Sequence, residues 1–440
     1  MLRIAHISDL HVLADPNAQQ ATRFQRLSAR FQKAFDVEVN IRGHSEGKLA
    51  ALKNALRLLR PDVIAVTGDL STYGDNASLR LAADILQELQ EISHAQRMIC
   101  VPGNHDSFGE RMTALSKTNW LLVRYFKALQ FLSKDLDNIL KRGRLRPLLQ
   151  AYNAEIAGRY GAPDPDTPAK VETGWGAVYF FPFDSTNDPG VMANEGRIGA
   201  RQYARLRDFI DAPANAKELE SALLIALLHH HPIPIPYLTD TAYERFYNSM
   251  RDGSTLCFFL NRRKFHFVLH GHQHQPHWCS LQYGYRGCPL NIIGAGTTLQ
   301  ESDAWSERDS FYILDILTPL QARLHMYQYR ETGFDELTSA VDFDVVPLSG
   351  FKITPQGSPD GPEDIALRNL IKVTPDAVDE THKCEEIVIQ AKVDPDQTYW
   401  GTYHFRGVCR STRPVEALRH VITGSPAMKW QDMHLQARAM

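Results

Sequence analysis

The chain has 440 residues, 43% hydrophobic and 22% charged, ordinary usage for a globular protein, so it can bury a sizeable core and is not a disordered tail. Its 48 Lys and Arg against 51 Asp and Glu leave a net charge of −3, which excludes a global positive field for nucleic acid or an anionic membrane. No apolar stretch approaches the ~18–20 residues that span a bilayer. The N-terminus carries no secretory leader pattern, and six scattered cysteines without a C-x-x-C pair read as reduced thiols, so a cytoplasmic protein is expected.

The first half alternates strand-like and helix-like segments. Residues 2–7 read as a strand, 48–60 as a helix with Leu49, Leu52, Leu56 and Leu59 at helical spacing, and 62–67 as a β-branched strand. A helix over 77–92 and a strand over 97–101 complete a βαβαβ order, which predicts parallel strands with crossover helices. A helical insertion follows over about 110–170. There Leu122, Tyr125, Phe126, Leu129, Leu132, Leu136, Ile139 and Leu140 form one apolar stripe. The stripe is expected to cap the main body; the basic end at 141–146 keeps a dimer seam or a membrane-surface contact as alternatives.

Strands resume at 175–183, 222–228, 266–269 and 290–293, with a helix over 200–210, and 310–317 with 322–330 read as an antiparallel pair. A Pro/Gly-rich linker at 355–362 leads to a small β-rich module, in which Ile387, Ile389, Ala391 and Val393 alternate with polar residues and 399–409 supplies a partner strand. The expected division is a main domain over 1–346 and a linker plus small module over 347–440.

The chemistry-bearing residues stand just after predicted strands. Asp9-Leu10-His11 follows the first, Gly68-Asp69 the second, and Gly103-Asn104-His105-Asp106 the third. His229-His230-His231-Pro232 and Gly271-His272-Gln273-His274 follow two later strands. Loops at the carboxyl ends of parallel strands converge, so residues distant in sequence come to share one site. Carboxylates, an amide oxygen and imidazoles, with no thiolate, suit Mn, Fe or Zn. A carboxylate such as Asp69 can bridge two cations, and a pair of cations clamps a phosphate and activates a hydroxide. Taken singly, each motif is an ordinary turn or histidine pair; all five in this order are specific.

The sequence resembles the calcineurin-like metallophosphoesterase superfamily, whose signature blocks D-x-H, G-D, G-N-H-D/E, H and G-H-x-H are complete here over about residues 1–335. The resemblance implies a four-layer α/β/β/α sandwich, interrupted here by the helical insertion, with a dinuclear centre of divalent or mixed-valence Mn, Fe or Zn ions. Carried over by motif, Asp9, His11 and His274 bind one metal, Asn104, His230 and His272 the other, and Asp69 bridges. His230 is chosen because it stands two residues before the proline; His229 and His231 remain alternatives, the latter as a substrate contact. His105 is expected to protonate the leaving group or stabilise the transition state, with Asp106 orienting it.

Within the superfamily, the His-His-Pro block and Phe183-Asp184-Ser185 followed by 196–206 are similar to class III cyclic nucleotide phosphodiesterases. The expected substrate is therefore a small phosphodiester, with cyclic nucleotides favoured. A nuclease, a phosphomonoesterase and an inactive scaffold of the same fold are the alternatives, and the insertion and the C-terminal module are the expected surfaces for a homodimer or a protein partner.

Overall fold

A computed structural model describes residues 1–14, 43–107, 149–174, 176–186, 196–219, 222–233, 250–281, 289–301, 308–318, 321–337, 340–344, 354–355, 383–393, 399–408 and 430–438. The apolar stripe 122–140, the basic run 141–146 and nearly all of the 355–362 linker lie outside these residues. Among the described residues, no helix is long and apolar enough to cross a membrane.

The chain divides into two units. The first comprises residues 1–281, 290–316 and 323–343; the second comprises 282–289, 317–322 and 344–440. In the first unit, β1 (Leu2–Ile7), β2 (Val63–Thr67) and β3 (Arg97–Val101) are parallel neighbours. Helix α1 (Glu46–Leu59) connects β1 to β2, and α2 (Asn76–Ser93) connects β2 to β3. Both helices begin where side chains satisfy their free N–H groups: Ser45 caps α1 and Asp75 caps α2, accepting from Lys48 and Ser78. Both end at left-handed residues, Arg60 and His94.

Alternation along the strands separates two faces. Ala5, Ile7, Ile64 and Val66 join Leu52, Leu56, Leu79, Leu86 and Leu89 of the helices in one buried cluster. The opposite face carries His6, Thr67 and Ala65, all buried. Strands β10 (Ser310–Thr318), β11 (Gln321–Arg330) and β12 (Gly333–Glu336) extend this sheet beyond β1 in the order β12-β11-β10-β1-β2-β3. β13 (Val341–Asp344) pairs with β11, making it seven-stranded.

The second sheet has the order β4-β5-β6-β7-β9-β8. Its parallel centre is β5 (Gly176–Pro182), β6 (Leu223–Leu227), β7 (Phe267–His270) and β9 (Leu290–Gly294). β4 (Ala169–Thr173) and β8 (His277–Leu281) are antiparallel edges. Strands β6, β7 and β9 are buried along their whole length and predominantly apolar because both faces are covered. Helices α3 (Gly199–Asp211), α4 (Pro213–Leu219) and α5 (Gly253–Arg262) belong to this half, and Phe209 of α3 packs edge-on against Phe181 of β5 at 5.9 Å. The architecture is thus the α/β/β/α sandwich, built on two separate sheets. Of the insertion, Gln150–Tyr152, Asn153–Ala157 and Gly158–Tyr160 are helical, and Tyr152 and Ile156 are buried in the same cluster as α2.

The second unit contains a four-stranded sheet, β14-β16-β15-β17, with β14 at Thr354–Pro355, β15 at Lys383–Val393, β16 at Tyr399–Val408 and β17 at Trp430–Arg438. All its pairings are antiparallel, and Ile389 lies opposite Tyr403 on one side and Leu435 on the other.

One imidazole remote from the strand-end loops is a feature of folding alone. His266 precedes β7 and accepts the Leu224 N–H on Nδ1 at 3.0 Å, and burial pushes its pKa down to about 4. The unfolded chain takes up a proton near pH 6.5, whereas the folded chain resists protonation until about pH 4. Stability from this group is therefore complete above pH 6.5 and falls as the pH drops through that window, by about 3 kcal/mol at pH 4. In His266→Asn, whose carbonyl can accept the same N–H, denaturant unfolding between pH 7 and 4 should show a shallower decline than the wild type.

Candidate metal centre and active site

Five loops meet where the two sheets approach. Backbone ladders continue past the strands: Asp9 N–H donates to the Gly68 carbonyl and His11 N–H to that of Asp69, both at 3.0 Å. On the other sheet, Gly271 N–H donates to the His229 carbonyl at 3.0 Å. The sheets are joined by His229, whose Nδ1–H donates to the Thr67 carbonyl at 2.7 Å, and by His272, whose backbone N–H donates to Asp9 Oδ2 at 3.1 Å. The turn after β9 braces the β1 end, since Thr297 Oγ1 donates to the Asp9 carbonyl at 2.9 Å.

Two groups of donor atoms result, each drawn together within 4.8 Å. One is Asp9, His11, Asp69 and His274; the other is Asp69, His229 and His272. In the first, His11 Nε2 and His274 Nε2 are 3.1 Å apart, and His274 Nε2 is 3.2 Å from Asp9 Oδ1. In the second, Asn104 Oδ1 lies 3.0 Å from both His229 Nε2 and His272 Nδ1. Asp69 belongs to both: its Oδ2 is 3.3 Å from His229 Nε2 and 3.9 Å from His11 Nε2, while Oδ1 accepts the His105 N–H at 2.8 Å.

The donor set fits divalent cations. Because a carbonyl only accepts, the Thr67 contact fixes the proton of neutral His229 on Nδ1 and turns the Nε2 lone pair toward the group. Burial disfavours charge on His229, yet the carboxylates of Asp69 and Asp9 outweigh it and hold its pKa up at about 9. Burial would likewise raise Asp69, but His229 and His105 hold it well below the usual carboxylate range. The potential at this point therefore favours positive charge. Asp9, His11, Asp69 and His229 form a buried floor, and His105, His272 and His274 are partly exposed, so the group opens on one side.

The backbone at these positions is unusual. Asp9, His11, Asp69, His272 and His274 all have positive φ, from 49° to 83°, a region that non-glycine residues adopt when surroundings hold them there. Two glycines are required by close approach. A Cβ at Gly103 would overlap Asp69 Oδ1, and one at Gly271 would overlap Ser8 Oγ.

In the second group the imidazole beside Asp69 and His272 is that of His229. The His230 Nδ1 instead pairs with Ser185 Oγ at 2.8 Å, and its ring lies 4.5 Å from that of His272. Asp106 is buried beside these groups. Its carboxylate accepts the N–H groups of Leu70, Ser71 and Gly103 at 2.8–3.2 Å and the Ser71 hydroxyl at 3.1 Å, clamping the β2 and β3 loops together. Burial and the nearby Asp69 charge push this carboxyl up, and the backbone donors oppose them. The His105 ring is held by the Thr72 carbonyl, to which Nδ1–H donates at 2.9 Å. The sequence reading passed over Thr67 and Thr72, because their carbonyls act and side-chain type says nothing of that.

Strand ends carried a usable signal. The donor stands two residues past the strand in four loops: Ile7 to Asp9, Thr67 to Asp69, Leu227 to His229, and His270 to His272.

Among solved structures, a dimetal phosphatase from Danio rerio is similar at 12% identity and a TM-score of 0.41, over 78% of this chain and 99% of that one. A purple acid phosphatase from yellow lupin (Lupinus luteus) seeds is similar at 12% identity and a TM-score of 0.44, over 78% and 53% of the respective chains. No curated protein matches the sequence. The family model described as calcineurin-like phosphoesterase matches residues 2–276, well over half of the chain, and the chain belongs to that family.

Proposed function

We propose that this protein is a metal-dependent phosphodiesterase, with residues 1–346 carrying the activity and 347–440 forming a separate module. The observation that carries the reading is the shared carboxylate of Asp69, buried between two clusters of donor atoms. Asp9, His11 and His274 would hold one cation, Asn104, His229 and His272 the other, and Asp69 both. Divalent Mn, Fe or Zn bound there supplies Lewis-acid polarisation of a phosphoryl oxygen and a water activated near neutral pH.

The chain's own residues supply the rest. With Nδ1–H committed to the Thr72 carbonyl, His105 exchanges its proton at Nε2, the atom that would protonate the departing alkoxide. Asp106 keeps the loops that carry Asp69 and His105 in register. The partly exposed side of the site, at His105, His272 and His274, admits the ester. A cyclic nucleotide is the favoured diester, on the likeness of 183–185 and 196–206 to class III cyclic nucleotide phosphodiesterases. That segment is tied to the site, because Ser185 Oγ accepts the N–H groups of His229 and His230, both at 3.2 Å. The three free cysteines among the described residues, Cys100, Cys257 and Cys279, accord with a cytoplasmic setting.

Asp69→Asn keeps the size of the side chain and removes the charge that offsets cation repulsion. Elemental analysis should find fewer than two metals per chain, diesterase turnover should disappear, and added manganese should raise the melting temperature less than in wild type. Two tightly held metals with near-normal turnover would refute the shared-carboxylate assignment. Gly103→Ala should lower metal content in the same way, because the added methyl displaces Asp69 without removing a donor atom.

His105→Ala should keep its metals and slow alkoxide-leaving diesters such as cyclic AMP by about 10²–10⁴, with a smaller effect on activated aryl diesters. Equal losses on both substrate kinds would exclude the acid role. Hydrolysis by the wild type of phosphomonoesters alone would exclude the diesterase reading.

A further inference from the structure

Two imidazoles outside the donor groups flank the loop that carries His272 and His274. His277 opens β8 and donates its Nδ1–H to the Gln275 carbonyl at 2.9 Å; His270 closes β7 and donates its Nδ1–H to the Gly271 carbonyl at 3.2 Å. The two ends of the loop are thereby tied to the strands on either side. Between them, His272 has φ 83° and His274 φ 54°, conformations that a side chain other than glycine leaves unless neighbours hold it.

The other ring nitrogen of each imidazole, Nε2, is buried and has no hydrogen-bond partner among the described residues. The bond to the loop carbonyl is therefore the polar anchor of each ring there. Burying an unpaired acceptor is unfavourable, and it is tolerated here at two adjacent residues. The rings lie 4.9 Å apart, and His277 stacks on His231 of the β6 loop at 6.1 Å and 27°, so the loops bearing His229 and His272 share this support. Room for it is built into the neighbouring strand. Gly294 stands opposite His277 in the β8–β9 ladder, and a Cβ there would overlap the His277 ring and come within 2.8 Å of His270 Cε1.

We infer that His277, aided by His270, is a positioning residue: its Nδ1–H holds the Gln275 carbonyl and so keeps His272 and His274 turned toward Asp9, Asp69 and Asn104, with Gly294 as the clearance it needs. The inference rests on the metal-centre reading above. Its test uses the full chain, stripped of metal and titrated with manganese by calorimetry, with metal content checked after desalting. The proteins compared are wild type, His277→Ala, His277→Asn, His277→Gln and Gly294→Ala.

The amide N–H of Asn reaches the place of Nδ1, whereas that of Gln reaches the place of Nε2. His277→Ala, His277→Gln and Gly294→Ala should weaken manganese binding by about 10–100-fold, and His277→Asn should stay within about threefold of wild type, a pattern that mere packing would not produce. Equal affinity in His277→Ala and wild type, or rescue by Gln as good as that by Asn, overturns the inference. If His277→Ala fails to fold, the Asn and Gln variants decide by the same comparison. A wild-type protein that takes up no metal overturns the metal-centre reading and this inference with it, whereas a loaded wild type with indifferent variants overturns the inference alone.

Discussion

The carboxylate of Asp69 is the constraint around which this half of the molecule is arranged. It is 1% exposed, and a buried charge is tolerated only when it is paired and hydrogen-bonded. The His105 N–H satisfies one oxygen, and the imidazoles of His229 and His11 approach the other. Each of those partners comes from a different strand end, so the charge is stable only when both sheets are formed and docked.

Ordinary sheet physics would not by itself leave five non-glycine residues in left-handed conformations. They are held by interloop hydrogen bonds. Backbone ladders run on beyond β1 and β2, Asp106 gathers three N–H groups from two loops, and Thr297 and Thr298 close over Ser8 and Asp9. Each such bond contributes about 1 kcal/mol net, comparable with the ~1–2 kcal/mol that a left-handed side chain costs. The strain is thus distributed over a network instead of resting on one contact. Gly103 and Gly271 belong to this logic, since each lets a backbone pass within touching distance of a carboxylate or hydroxyl.

The first sheet contributes both carboxylates together with His11 and Asn104, the second sheet His229, His272 and His274, and the position of the carboxylates has an electrostatic consequence. Asp69 and Asp9 hold His229 up at about 9 against burial, while burial and the neighbouring His229 push His272 down to about 3. His272 Nδ1 lies 3.2 Å from His229 Nε2, so a proton on one imidazole disfavours a proton on the other. A cation entering the cluster meets the same field that holds the His229 proton.

Much of this was legible in the sequence. Apolar periodicity located β1, α1, β2, α2 and β3 to within two residues, and the residue types at five strand ends marked the chemistry. Several things were not legible. The edge strands β4 and β8 are five residues each, too short to stand out from the sequence, and along β8 every residue is partly buried or exposed. That the loops come from two sheets was carried only by the family resemblance, since a parallel strand reads the same in either. The sequence by itself determined which residues had donor chemistry and in what order they came, because side-chain type is a property of the chain. The tertiary structure alone brought His229 Nε2 beside Asp69 and His272, set the Asp106 carboxylate between two loops and placed the His105 ring on the Thr72 carbonyl. The direction of a side chain past a strand end reverses with each residue, so a boundary uncertain by one residue leaves the choice open. Hydrogen-bond partners such as the Thr67 and Thr72 carbonyls are set by which backbones are brought together, and nothing in residue type records that.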